Sequence, residues 1–218
     1  MHLYIAYKNY SSWSLRPWLA LKVAGIDFAE TILPFAHDST LDDFSQQHTI
    51  PAQVPVLIDE GHVIWDSLAI MEHIAECHPN KKLWPQDKWL RALARSAASE
   101  MHSSFMTLRS ECPMNCRAKK RITVTDDIQA DLNRLSEIWA HFAAAEKPQG
   151  QFLCGDFSIV DAMYAPVMWR IVGYQLEVSD HFKQWTAAMQ ALPAMQEWLD
   201  AAHNEPWSIE SYEAIGKT

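Results

Sequence analysis

Apolar positions follow one kind of spacing in the first third of the chain and another in the rest. Leu3 to Tyr7 is a short apolar run and predicts a strand. Leu15, Trp18, Leu19 and Leu21 to Val23 then recur at helical spacing, predicting a helix from about Ser14 to Ala24. Pro17 falls in its expected first turn, where a missing N–H costs nothing, and Gly25 is the stop signal. Phe28 to Leu33 alternates apolar with polar and predicts a second strand. A polar stretch from His37 to Thr49 predicts a loop with a short helix around Leu41 to Gln46. The proline-bearing run Ile50 to Ile58, the turn Asp59-Glu60-Gly61 and the run His62 to Trp65 predict a hairpin. Asp66-Ser67 then open the helical pattern of Leu68, Ala69, Ile70, Met71, Ile74 and Ala75. The order is β-α-β, a connector, then β-β-α.

Pro79 to Asp87 is polar, carries two prolines and predicts a linker, after which strand signals stop. Trp89 to Cys112 predicts one long helix, followed by helices over Thr125 to Ala145, Ser158 to Val172, His181 to Ala191 and Met195 to Ala202. The tail from Pro206 to Thr218 has no clear period. The division is therefore an α/β domain over 1–80 and an all-α helical domain over 87–218.

Composition narrows the class without changing this picture. With 49% hydrophobic and 21% charged residues the chain is an ordinary globular protein. Its net charge of −9 argues against nucleic acid as a partner. The one basic cluster, Arg117 to Arg121, is expected to be a solvated turn or helix end. No apolar run has the length of a membrane span, and Met1 to Tyr4 lacks the features of a signal peptide. Cys77, Cys112, Cys116 and Cys154 form no C-x-x-C pair and no Cys-His set with structural-zinc spacing. Free thiols, no metal and a reducing, cytoplasmic setting are the expectation.

Candidate chemistry concentrates at helix starts. Ser11, Ser12 and Ser14 cluster where the first strand hands over to the first helix. That end of a helix has unpaired N–H groups and roughly half a positive charge, so it can hold an anion. One serine there is equally well an N-cap. Asp66-Ser67 present the same choice at the later helix. Ser158-Ile159-Val160-Asp161 has capping-box spacing, which assigns Ser158 and Asp161 a structural role. Met101, Phe105 and Leu108 share a helix face that suits core or substrate pocket, and Arg109 beside them suits an anionic substrate or a salt bridge.

Three of these segments together resemble the glutathione transferases, over essentially the whole chain. The serine cluster with Arg16 is similar to the Ser-Ser-x-Ser-x-Arg signature of the zeta class. Gln53-Val54-Pro55 resembles the family's segment before its third strand. Asp66-Ser67-Leu68-Ala69-Ile70 resembles its acid-Ser-x-Ala-Ile helix start. The resemblance implies a thioredoxin-like first domain, a helical second domain, a homodimer, and glutathione as co-substrate with no metal. It makes Ser11 the hydrogen-bond donor to the glutathione thiolate, with Ser12 and Ser14 as substitutes. It implies that Val54 pairs its backbone with the ligand beside a cis Pro55, and that Gln53 is a polar contact. Asp66 would hold the γ-glutamyl ammonium and Ser67 its carboxylate, while His48 or His37 would meet the glycine carboxylate. Trp13, Met101, Phe105 and Arg109 would line the electrophile pocket.

The chemistry asked of Ser11 has a size. A free thiol ionises near pH 8.5, and lowering that by about two units takes roughly 2.7 kcal/mol of preferential thiolate binding. A hydroxyl donor at a helix N-terminus is a source for it. The resemblance has departures. Trp13 stands where zeta members often carry Cys, and neither Cys nor Tyr occupies the serine position. The expected function is a glutathione transferase directing the thiolate at an apolar electrophile. The alternatives are a glutathione-dependent cis–trans isomerase of a small dicarboxylate, or a non-catalytic glutathione-binding protein.

Overall fold

Strand β1 (His2–Ile5) lies inside a four-stranded sheet of order β2-β1-β3-β4 in the computed structural model, which describes residues 1–34 and 40–216. It runs parallel to β2 (Ala29–Ile32) and antiparallel to β3 (Val56–Asp59), which pairs with β4 (His62–Trp65). Parallel pairing needs a crossover, and α1 (Ser12–Ala24) supplies it. α2 (Thr40–His48) precedes β3, and α3 (Ser67–Cys77) follows β4 and packs on α1. This is the thioredoxin-like arrangement that the resemblance implies for the first domain.

The remainder is helical, with α4 (Lys88–Ser103), α5 (Met106–Glu111), α6 (Asp126–Ala144), α7 (Ile159–Gly173), α8 (Asp180–Gln190), α9 (Pro193–Asn204) and the short α10 (Glu210–Glu213). α7 is the hub. It packs against both α1 and α4 and is buried along nearly its whole length, as a helix without a polar face must be. α1 is buried from Ser14 to Leu21 for the same reason, wedged between α3 and α7. One apolar cluster runs continuously from Leu3 and Ile5 through Trp18 and Leu19 to Ala94, Met163 and Trp198.

Asp161 fixes the start of α7 from a fully buried position. Its Oδ2 accepts the Ser158 N–H (2.9 Å) and hydroxyl (3.2 Å), and its Oδ1 accepts the Leu153 N–H (3.0 Å) and Trp185 Nε1 (2.8 Å). Burial pushes this carboxyl up to about 6, and the four donors oppose the rise.

Three sequence expectations are corrected. The helix expected over Trp89 to Cys112 is broken, because Ser104 is extended and Phe105 takes a left-handed φ of 61°. α1 starts at Ser12, so Pro17 lies in the second turn and denies the Trp13 carbonyl its helical N–H. The basic cluster is solvated only in part: Lys119 and Arg121 are exposed, but Arg117 and Lys120 are not. Arg117 donates to the carbonyls of Glu205 (3.1 Å) and Trp207 (3.0 Å), and Lys120 is buried, its N–H donating to the Gly173 carbonyl (2.8 Å).

Candidate active site

A cavity of about 690 Å³ opens between the N-terminus of α1, the segment before β3, the N-terminus of α3 and the helical half. Ser11, Ser12, Trp13, Gln53, Val54, Pro55, Asp66, Ser67 and Arg109 all line it. Residues from four separate stretches thus meet in one place.

Ser11 is the N-cap of α1, and its Oγ accepts the Ser14 N–H at 3.4 Å. The Ser11 and Ser14 hydroxyl oxygens are 2.7 Å apart, and Ser14 Oγ accepts the Ala6 N–H at 3.1 Å. Ser14 is fully buried, so it backs Ser11 rather than facing the cavity. Neighbouring Tyr10 also lines the cavity, but its hydroxyl is engaged, donating to Glu213 (2.6 Å) and accepting from Arg117 (2.9 Å). The loop before Ser11 is held from the tail. Glu205, buried, accepts the backbone N–H groups of Lys8 (2.6 Å) and Asn9 (3.0 Å).

The Val54–Pro55 bond is cis, the isomer the resemblance implies. Asp66 has a φ of 75°, a region that costs a non-glycine residue of order 1–3 kcal/mol and collects at functional sites. Its Oδ1 caps α3 by accepting the N–H groups of Leu68 (2.9 Å) and Ala69 (3.2 Å), and its Oδ2 lies 2.6 Å from His102 Nε2. Ser67 Oγ is buried without a protein partner at the same helix end. The Ser67 hydroxyl and its own N–H, at the N-terminus of a helix, suit a carboxylate.

Part of the lining is cationic. Arg109 and Arg170 line the cavity, and Arg16 lies behind Trp13. The Trp13 ring is within cation–π distance of both the Arg16 (4.1 Å) and Arg109 (4.5 Å) guanidinium carbons. Arg109 donates to the carbonyls of His102 (3.2 Å) and Ser104 (3.3 Å). Arg170 is buried, and its Nε and one terminal nitrogen have no protein partner. Burial, with Arg109 nearby, brings the Arg170 guanidinium down to about 10, so it is charged at neutral pH. Burial and the two neighbouring arginines also lower Arg16, whose terminal nitrogens are likewise unpartnered.

The structure does not bring every expected residue here. Met101 and Phe105 belong to the core instead of the pocket, both being buried. The left-handed turn at Phe105 carries its ring inward, edge-on to Tyr164 at 6.4 Å. His48 does not line the cavity and packs, tilted, against the Phe44 ring at 4.5 Å. His37 lies outside the described residues. Conversely, sequence reasoning missed Arg170, His102 and Glu205. Arg170 carried a usable signal, a lone cation in the otherwise apolar turn of a buried helix. His102 and Glu205 carried none, because their partners are 36 and about 196 residues away in the chain.

Comparison with known proteins agrees with this architecture. Residues 1–76 match the glutathione S-transferase N-terminal domain and residues 88–201 the C-terminal domain. The chain is 25% identical over 217 residues to a maleylacetoacetate isomerase of Dictyostelium discoideum, covering 94% of each. Among solved structures it is similar to a maleyl pyruvate isomerase described as a bacterial zeta-class glutathione S-transferase, with a TM-score of 0.72, 20% identity and 96% and 100% coverage. A glutathione transferase homologue from Burkholderia with bound glutathione superimposes with a TM-score of 0.69, 21% identity and 93% and 97% coverage. The chain belongs to the glutathione S-transferase family.

Proposed function

We propose that this glutathione-dependent enzyme is a cis–trans isomerase of a small dicarboxylate. The observation that carries the reading is the pair Arg109 and Arg170 lining the same cavity as Ser11. Two buried or half-buried cations are a poor lining for an apolar electrophile and a good one for an anion. The relatives named as isomerases of maleyl compounds support the same reading.

Glutathione binds with its cysteinyl backbone along Val54, its γ-glutamyl carboxylate on Ser67 and its ammonium on Asp66. Ser11 Oγ donates to Ser14 Oγ (2.7 Å) in the ligand-free protein, and with the thiolate bound the pair reverses, Ser14 donating its hydroxyl to Ser11 Oγ while it still accepts the Ala6 N–H. That leaves the Ser11 proton to point at the thiolate, and the relay strengthens it as a donor. The thiolate adds to the cis double bond at the carbon β to a carbonyl. The electron pair moves onto the carbonyl oxygen as an enolate, and the former double bond becomes single and rotates. The enolate then collapses, re-forms the double bond as trans and expels the thiolate, with no net proton or electron consumed. Arg109 and Arg170 hold the carboxylates and the developing enolate charge. We further read the chain as a homodimer and as cytoplasmic, the latter because its four cysteines are unpaired.

Conjugation of an apolar electrophile is the second reading, supported by Trp13, Trp65 and Ile209 on the same cavity. The two differ in the fate of glutathione. With maleylacetoacetate as substrate, isomerisation needs glutathione and returns it all as free thiol. Consumption of one thiol per turnover, or turnover of aryl halides alone, establishes conjugation instead.

A further inference from the structure

Among the described residues, one group of three metal-ligating side chains comes together, and it lies outside the cavity described above. Asp59 closes β3, while His73 and Cys77 stand one turn apart on α3. Their ligand atoms all lie within 4.8 Å of one another. His73 Nε2 is 3.0 Å from Asp59 Oδ2 and 3.6 Å from Cys77 Sγ. Cys77 Sγ is also 3.8 Å from His73 Nδ1. The other oxygen of Asp59, Oδ1, lies 3.8 Å from the Met1 amino group, which leaves Oδ2 turned to the histidine.

These separations suit an ion. Metal–ligand distances of about 2.0–2.3 Å at tetrahedral angles place ligand atoms about 3.3–3.6 Å apart. One nitrogen, Nε2, is within 3.6 Å of both the carboxylate oxygen and the thiol sulfur, so a cation there replaces the hydrogen bond between His73 and Asp59. An imidazole and a thiol at i and i+4 project from one helix face. The third ligand comes from a different element, so the ion would tie the end of the sheet to the last turn of α3. Asp59 and His73 are partly buried and Cys77 is exposed, which gives the site an entry path. Cys112, Cys116 and Cys154 are buried, and burial pushes all three thiols up, so none competes.

We propose that Asp59, His73 and Cys77 form a binding site for a borderline-soft divalent cation, zinc in the first instance, with a fourth position open to water. A mixed sulfur, nitrogen and oxygen set selects zinc or cobalt over magnesium or calcium. The proposal does not depend on the reading of the glutathione site.

The test is a Co(II) titration of glutathione-free protein. One equivalent per chain should bring up a thiolate-to-cobalt charge-transfer band, which Zn(II) then displaces. The band should be lost in Cys77→Ser and His73→Ala and kept in Ser11→Ala. Zinc should raise the melting midpoint of the wild type and not of Cys77→Ser, whose exposed side chain lets it fold normally. A wild type without the band at one equivalent, or a band that survives in Cys77→Ser, overturns the site.

Discussion

His102 Nε2 and Asp66 Oδ2 lie 2.6 Å apart, joining the last turn of α4 to the first of α3. Asp66 spends its other oxygen on capping α3, so His102 fixes which way the remaining oxygen points. In the proposed binding mode of glutathione, His102 is therefore a positioning residue for the γ-glutamyl end. His102→Ala should raise KM for glutathione roughly fivefold, for a hydrogen bond worth about 1 kcal/mol, with little change in kcat. His102→Gln should restore part of the loss. An unchanged KM in His102→Ala contradicts this role.

Arg109 and Arg170 should separate substrate binding from glutathione binding. Losing one charged hydrogen bond of about 1.5–3 kcal/mol lowers kcat/KM for the dicarboxylate about 10- to 150-fold. Arg109→Gln and Arg170→Gln should each show this while the glutathione Kd, measured by calorimetry, stays put. Equal losses on both ligands would mean that the arginines only hold the fold.

Glu205 should act on chemistry from a distance through the loop it holds. Glu205→Ala leaves the Lys8 and Asn9 N–H groups without their acceptor, at about 1–3 kcal/mol for each group left buried. Stability in urea should fall by about 2 kcal/mol or more, and the thiol pKa of bound glutathione should rise as Ser11 loses its fixed position. Glu205→Gln, which keeps one acceptor oxygen, should fall between the two.

Asp161 gives a pH signature. Burial raises its folded carboxyl to about 6, against roughly 3.9 for an unfolded Asp. Between these values the folded chain holds the extra proton. The stability this group contributes is therefore complete below the unfolded value and is lost as pH rises through the folded one. The stability of the wild type relative to Asp161→Asn should decline from about pH 4 to about pH 6 and level off above. Parallel curves across that window contradict the raised pKa.

Much of this was legible in the chain. The period change after Trp65 marks where strands end, and Gly25, with φ of 60°, stops α1 as its position suggests. Ser11 and Asp66 are readable as N-caps because each acts through its own neighbouring backbone, whereas the cis bond at Val54-Pro55 is expected only from the family resemblance. What stayed hidden depends on long-range contact. Helical spacing could not say that Phe105 breaks its helix, since a left-handed phenylalanine has no sequence signature. Arg117 looked solvated because charge alone does not reveal that the tail carbonyls of Glu205 and Trp207 come to meet it. His73 and Cys77 were four apart in plain view, but the third member, Asp59, comes from the sheet.

The most direct test of the central claim is the thiol pKa of bound glutathione, followed by thiolate absorbance against pH in wild type, Ser11→Ala and Ser12→Ala. The account predicts a wild-type value about two units below the free thiol's 8.5 or so. It also predicts a return towards the free value in Ser11→Ala and a much smaller change in Ser12→Ala. A wild-type value at that of free glutathione, or a Ser11→Ala value equal to the wild type's, would contradict it.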